Sequence, residues 1–123
     1  MPARPNADVF DKVRKAASTL PDVTEGISWG VPALKVRGTM FACIATNKQA
    51  EPDSLVARLS FVDRDWLIAQ DPDVFYLKPH YLSYPCVLAR LHRIKAKDLR
   101  ELLVNSREFV AALKTRRKRG TAR

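Results

Sequence analysis

Ala33-Leu34-Lys35-Val36-Arg37-Gly38-Thr39-Met40-Phe41-Ala42-Cys43-Ile44-Ala45-Thr46 is the stretch that decides the fold class. Leu34 and Val36 fall on one side of an extended chain and Ala33, Lys35 and Arg37 on the other, the period of a strand with one buried face. Gly38-Thr39 reads as a two-residue turn, because glycine adopts a positive φ freely. Residues 40–46 then return as a second strand. After a polar loop over 47–53, residues 54–61 alternate again, with Leu55, Ala57, Leu59 and Phe61 inward and Val56, Arg58 and Ser60 outward. Three such segments in succession read as an antiparallel meander.

Outward from the meander the period becomes helical. Upstream, Val9, Phe10, Val13, Ala16, Ala17 and Leu20 recur at helical spacing and Pro21 ends the run. Residues 22–28 read as a polar connector, and Trp29-Gly30-Val31-Pro32 leads into the first strand. Downstream, Asp63 caps a short helix over 64–70 that Asp71-Pro72 stops. Residues 74–77 and 86–93 supply a fourth and a fifth strand. Leu99, Leu102, Leu103, Ser106, Phe109, Val110 and Leu113 then form a stripe about four turns long. The order α-β-β-β-α-β-β-α, with mostly adjacent strands, is that of an α+β protein: one domain over residues 1–113, its antiparallel sheet carrying helices on one face.

The chain has 123 residues, enough for one hydrophobic core, and 46% of them are hydrophobic. No apolar run approaches the length of a membrane span. The first eight residues lack an apolar signal region, so the expected setting is cytoplasmic, with Cys43 and Cys86 reduced. Lysine and arginine total 22 against 13 acids, a net charge of +9. Six of the basic residues, Lys114, Arg116, Arg117, Lys118, Arg119 and Arg123, lie in the last ten positions, where there is no acid. Without them 16 basic residues face 13 acidic ones, a balance of +3. Residues 114–123 therefore read as a disordered cationic tail, attractive to phosphate polymers without choosing among them.

Catalytic chemistry finds little support. Cys86 and His80 have the residue types of a thiolate–imidazole pair, but nothing marks an orienting acid or an oxyanion hole. With four glycines there is no phosphate-cradling loop. His80 and His92 have no partner at metal-ligand spacing. The acids Asp63, Asp65, Asp71 and Asp73 read as cap and turn residues. The expectation is a protein that is no enzyme, with no cofactor and no bound metal. More informative is the loop Lys78-Pro79-His80-Tyr81-Leu82-Ser83-Tyr84-Pro85. Its two prolines fix φ and hold His80, Tyr81 and Tyr84 in set directions.

Ser28-Trp29-Gly30-Val31-Pro32-Ala33-Leu34-Lys35-Val36-Arg37-Gly38-Thr39-Met40-Phe41-Ala42 resembles the first signature of the MmcQ/YjbR-type proteins. Pro79-His80-Tyr81 with Tyr84-Pro85 and Val87-Leu88-Ala89-Arg90-Leu91 is similar to their second. The likeness covers residues 9–113. It implies a CyaY-like α+β fold and carries the DNA-binding label common in that family, with the two halves of the sheet as a double wing. Lys35, His80, Tyr81 and Arg90 are the matching polar positions. Thr39 stands where the family often has a lysine, and Cys86 where it often has an aromatic residue. The iron-binding acidic helix of frataxin-like relatives has no counterpart, since Asp8 and Asp11 are offset by Lys12, Arg14 and Lys15.

Charge placement and resemblance together suggest a DNA-binding protein. Lys35, Arg37, Lys78, His80, Tyr81 and Arg90 would serve on the folded part, and Arg116, Arg117, Lys118 and Arg119 on the tail. The alternative is a small-molecule or protein-binding module in which the loop from His80 to Tyr84 walls a pocket.

Overall fold

The computed structural model describes residues 5–121, with side chains described over 9–113. Helix α1 (Pro5–Ala17) buries Phe10, Val13 and Ala17 along one stripe. Arg14 and Lys15 lie in its last turn, where cations complement the helix dipole. Two hairpins follow. Strands β1 (Val23–Ser28) and β2 (Val31–Val36) join through Trp29 and Gly30, at φ 56° and 78°. Strands β2 and β3 (Thr39–Ile44) join through Arg37 and Gly38, at φ 52° and 84°. Both are two-residue turns with two left-handed residues, the kind whose twist suits a hairpin. The second turn sits one residue earlier than Gly38-Thr39.

The remaining elements are β4 (Ser54–Arg58), α2 (Phe61–Gln70), β5 (Phe75–Tyr76), a 3-10 turn (Pro79–Tyr81), β6 (Cys86–Arg90) and α3 (Ala96–Thr121). Ser60 rather than Asp63 caps α2, its Oγ accepting from the Asp63 amide at 3.1 Å. Among the described residues the strands form one antiparallel sheet of six, in the order β1-β2-β3-β4-β6-β5. The α+β class read from the alternation is the one the chain adopts. The sixth strand is β1, where the sequence reads as a connector. It is an edge strand, and its inward side carries Glu25 in an ion pair with Arg14 of α1. An acid facing the helices hides the apolar alternation.

Helices α1 and α3 lie across one face of the sheet. Phe10 and Val13 of α1 and Leu99, Leu102, Leu103 and Val110 of α3 meet Leu34, Val36, Phe41, Leu55, Ala57, Val87 and Ala89. Lys12 reaches from α1 to the Leu91 carbonyl at 2.8 Å and also donates to that of Ile94, tying the helix to the turn after β6. Between β2 and β3 the register slips at Leu34/Lys35: Leu34 faces Ala42 and Lys35 faces Met40, so Phe41 is an extra residue in β3. Its carbonyl accepts from the fully buried Ser106 hydroxyl of α3 at 2.8 Å. The bulge is thus satisfied by the helix packed over it.

The opposite face is covered in part. Because successive residues alternate, Leu88 points away from Val87 and Ala89. It packs with Tyr76, Tyr81 and Cys86 in a second cluster that Ala45, Ala50, Val56 and Leu77 border. The segments 45–53 and 77–85 therefore lie over this face. No helix among the described residues is long and apolar enough to cross a membrane.

Candidate functional site

Where those two segments stop short of β1 and β2, a concave cavity of about 590 Å³ opens on the face away from α1 and α3. Met40 and Cys43 of β3, Val56 and Arg58 of β4 and Cys86 of β6 are among its floor residues. Thr46 and Asn47 form one wall and His80, Tyr81, Tyr84 and Pro85 another. Trp29 overhangs from the first hairpin turn. A bulky aromatic at φ 56° occupies a backbone region that usually goes to Gly, Asn or Asp, and about 1–3 kcal/mol of local strain is typical of such positions. Core packing does not explain it, since Trp29 is 79% exposed.

The walls are fastened. The His80 amide donates to Gln49 Oε1 at 3.0 Å, joining the 3-10 turn to the polar loop. The Glu51 amide donates to the Tyr76 hydroxyl at 2.8 Å, and that hydroxyl is also bonded to Ser54 Oγ. Arg90 reaches across from β6. Its Nε and Nη2 donate to the two Glu51 oxygens at 2.8 and 2.7 Å, and Nη1 donates to the carbonyls of Pro72 and Asp73. Its guanidinium lies 4.2 Å from the Tyr76 ring centroid. This hydrogen bonding holds the Glu51 carboxyl below its usual range and the Arg90 guanidinium above its own. At the other end Arg64 of α2 donates to the carbonyls of Leu82 and Tyr84 at 2.9 and 3.4 Å.

The chemistry of the lining is neutral with one exception. Burial pushes the Cys43 and Cys86 thiols up to about 11, so both are protonated at neutral pH. Burial also raises the Tyr81 hydroxyl, against a hydrogen bond with the Asn47 backbone. His80 turns its ring edge-on to Tyr81 at 4.8 Å and lies 6.1 Å from the Tyr84 ring. Among the described residues lining the cavity Arg58 is the only permanent charge, and none is an acid. One of its N–H groups donates to the Met40 carbonyl at 3.3 Å, and it makes a further contact besides. No group of three His, Cys, Asp or Glu side chains among the described residues could hold a metal ion.

Comparison with known proteins places the chain. The YjbR family model matches residues 18–109. The chain belongs to the YjbR family. The uncharacterized proteins Rv2570 of Mycobacterium tuberculosis and Mb2600 of Mycobacterium bovis are 45% identical to it over 40 residues. That match takes in 32% of the chain and spans about a third, 31%, of those relatives' length. Among solved structures, Deinococcus radiodurans protein DR2400, with a DUF419 domain, superposes with a TM-score of 0.61 at 22% identity. The superposition covers 78% of this chain and 73% of that one, a likeness of fold.

On this YjbR-family scaffold the residues singled out from sequence separate into groups. His80 and Tyr81 meet at the cavity, Tyr81 buried and His80 exposed. Lys78 precedes them and is half-buried. Lys35 is half-buried on β2, its chain laid over Gly26, where a Cβ would come within 3.2 Å of Lys35 Cε. Arg37 is exposed at the second hairpin turn. Three strand spacings, about 14 Å, separate the strand of Lys35 from that of Arg90. Arg90, expected to contact phosphate, is occupied by Glu51 and two carbonyls. Arg116, Arg117, Lys118, Arg119 and the tail they belong to fall outside the described side chains. Sequence reasoning passed over Met40, Cys43 and Val56 as lining residues. Their signal was available: apolar side chains on the outward side of strands imply that this face is not bare.

Proposed function

We propose that this YjbR-family protein is a non-enzymatic, cytoplasmic binding module whose ligand seat is the cavity beneath Trp29, His80 and Tyr84. The observation that carries the reading is the cavity itself. Its volume of about 590 Å³ falls in the range of small-molecule sites. Its lining is apolar and aromatic with a few polar groups, and its walls are tied down before anything binds, which lowers the entropy lost on association. Protonated thiols and a histidine packed on two tyrosines favour binding over covalent chemistry. Saturation-transfer NMR with benzoate, indole and adenosine tests the seat. At least one should bind, and Tyr84→Ala, which removes a 54% exposed side chain, should weaken it about tenfold through lost stacking. No binding, or binding indifferent to Tyr84→Ala and His80→Ala alike, rules the seat out.

A second reading, DNA binding, is favoured by the net charge of +9. Lys35, Arg37 and Lys78 would meet phosphates together with the tail of Arg116, Arg117, Lys118 and Arg119, while Arg90 keeps its place on Glu51. Fluorescence anisotropy of labelled duplex DNA over a salt series tests it, with the full chain beside one ending at Leu113. Binding by both, with log K falling by about 0.9 per neutralised phosphate, supports contact by the sheet. Binding that disappears with the tail reduces the interaction to bulk electrostatics.

A further inference from the structure

A second concavity, of about 350 Å³, lies on the helical side of the sheet, between α1 and the first turns of α3. Lys12, Lys15, Ala16, Ala96, Lys97 and Arg100 line it. Four of these six residues are cations and none is an acid. Helical spacing brings the charges together. Lys12 and Lys15 stand three residues apart on α1, and Lys97 and Arg100 three apart on α3, so each pair shares one helix face. The packing of α1 on α3 sets the two pairs on either side of one groove.

These charges are held in place without being neutralised. The half-buried Lys12 donates to the carbonyls of Leu91 and Ile94. Arg100 donates to the Thr19 hydroxyl. All three acceptors are uncharged oxygens. Lys15 and Lys97 are exposed, and among the described residues neither ammonium has a hydrogen-bond or ion-pair partner. Asp11 of α1 is taken by Arg14, and Asp98 and Glu101 of α3 do not line the groove. Like charges on adjacent turns of a helix repel, so the four cations cost stability that an anion restores.

A single carboxylate does not balance four cations. The lining has no aromatic ring to stack a base and no apolar side chain larger than alanine. A polyanion recognised by its charge fits this chemistry. We propose that the groove between α1 and α3 binds a chain of linked phosphates, with Lys12, Lys15, Lys97 and Arg100 on its oxygens. Lysine meets phosphate as a point charge and arginine as a planar fork. Free oligophosphate and the triphosphate of a nucleotide share this chemistry. The groove is independent of the ligand seat beneath Trp29, which lies on the opposite face of the sheet.

Isothermal titration with orthophosphate, tripolyphosphate and ATP, at about 0.15 M salt and without divalent metal, tests the site. The cationic tail also attracts phosphate, so the full chain is compared with full-length Arg116→Gln/Arg117→Gln/Lys118→Gln/Arg119→Gln. Tripolyphosphate should bind both at least tenfold more tightly than orthophosphate. ATP should match tripolyphosphate within about threefold, because the groove offers its base nothing. Lys15→Gln/Lys97→Gln, at two exposed positions, should weaken tripolyphosphate about tenfold or more, the loss of two charged contacts. Should that variant unfold, the native chain still decides: the Arg100 Nε–H resonance should shift with tripolyphosphate. Binding that vanishes with the four tail cations, or that is indifferent to Lys15→Gln/Lys97→Gln, overturns the groove, as does an Arg100 resonance that stays still. Orthophosphate that binds as tightly as tripolyphosphate overturns the linked-phosphate class. ATP that binds far more tightly than tripolyphosphate overturns recognition by phosphate alone. A duplex oligonucleotide that displaces tripolyphosphate at equal phosphate concentration assigns the groove to nucleic acid and overturns the proposal.

Discussion

Phe41→Ala is expected to lower the free energy of unfolding by about 3–5 kcal/mol, the range for truncating a buried aromatic in a packed core. Phe41 is fully buried in the main cluster, between the sheet and α3. Its truncation leaves a void that the surroundings cannot close, because Ala42 beside it is equally buried and the Ser106 hydroxyl holds the Phe41 carbonyl in place. Small domains have about 5–15 kcal/mol in total, so the variant should be close to unfolding at physiological temperature. Phe41→Leu keeps most of the volume and should cost less than half as much. Urea denaturation followed by circular dichroism measures both. A loss below about 1.5 kcal/mol for Phe41→Ala would contradict the packing described for the bulge.

The second large effect is expected in alkali. In the unfolded chain Cys43 and Cys86 ionise near the ordinary thiol value, whereas in the folded chain both are pushed up to about 11. For Cys43 burial acts first and Cys86 adds to it. For Cys86 burial is opposed by the positive charges of Arg64 and Arg58. The folded pKa is thus raised, so the stability that comes from keeping the thiols neutral is complete below about pH 8.5. Above that the unfolded state binds fewer protons, and stability falls as pH rises until the folded thiols ionise near 11. The slope is about 1.4 kcal/mol per pH unit for each thiol. Urea midpoints between pH 8 and 10.5, for the native chain and for Cys43→Ala/Cys86→Ala, provide the test. The native chain should decline clearly more steeply than the variant, and parallel curves would refute the assignment.

How much of this is legible in the sequence depends on which face of the sheet is considered. The face under α1 and α3 is written in the period-two apolar residues Leu34, Val36, Leu55 and Ala57 and in the helical stripes around Phe10 and Leu103, each signal matching the burial observed. Strand β1 escaped because Glu25 occupies an inward position and is answered by Arg14, a partner eleven residues upstream that no local pattern reveals. The cavity was half legible. The two prolines around His80 and Tyr81 pointed to a stiff aromatic loop, and that loop does form a wall. Its floor was legible only as apolar residues at outward strand positions, because Cys43, Val56 and Cys86 come together only through the pairing of β3 with β4 and of β4 with β6. The fate of Arg90 was equally hidden, since its partner Glu51 lies 39 positions away in a loop whose sequence says only that it is polar.

The slip between β2 and β3 has a bearing on how such cavities diverge. Ala33 and Lys35 share a face, so their partners Cys43 and Met40 share it too, although those partners lie three positions apart along the chain. In an unbroken strand Met40 would side with Ala42 and Ile44 beneath the helices. With Phe41 present, its place on the cavity floor is therefore set by the slip in register and not by its own identity. Loss of the residue at position 41 would restore strict alternation with Met40 still opposite Lys35, whereas a residue gained in β2 opposite Phe41 would turn Met40 inward, altering the floor without touching a wall residue. Among relatives, a residue gained here in β2 would redraw what the cavity can accept more abruptly than any single exchange of side chains.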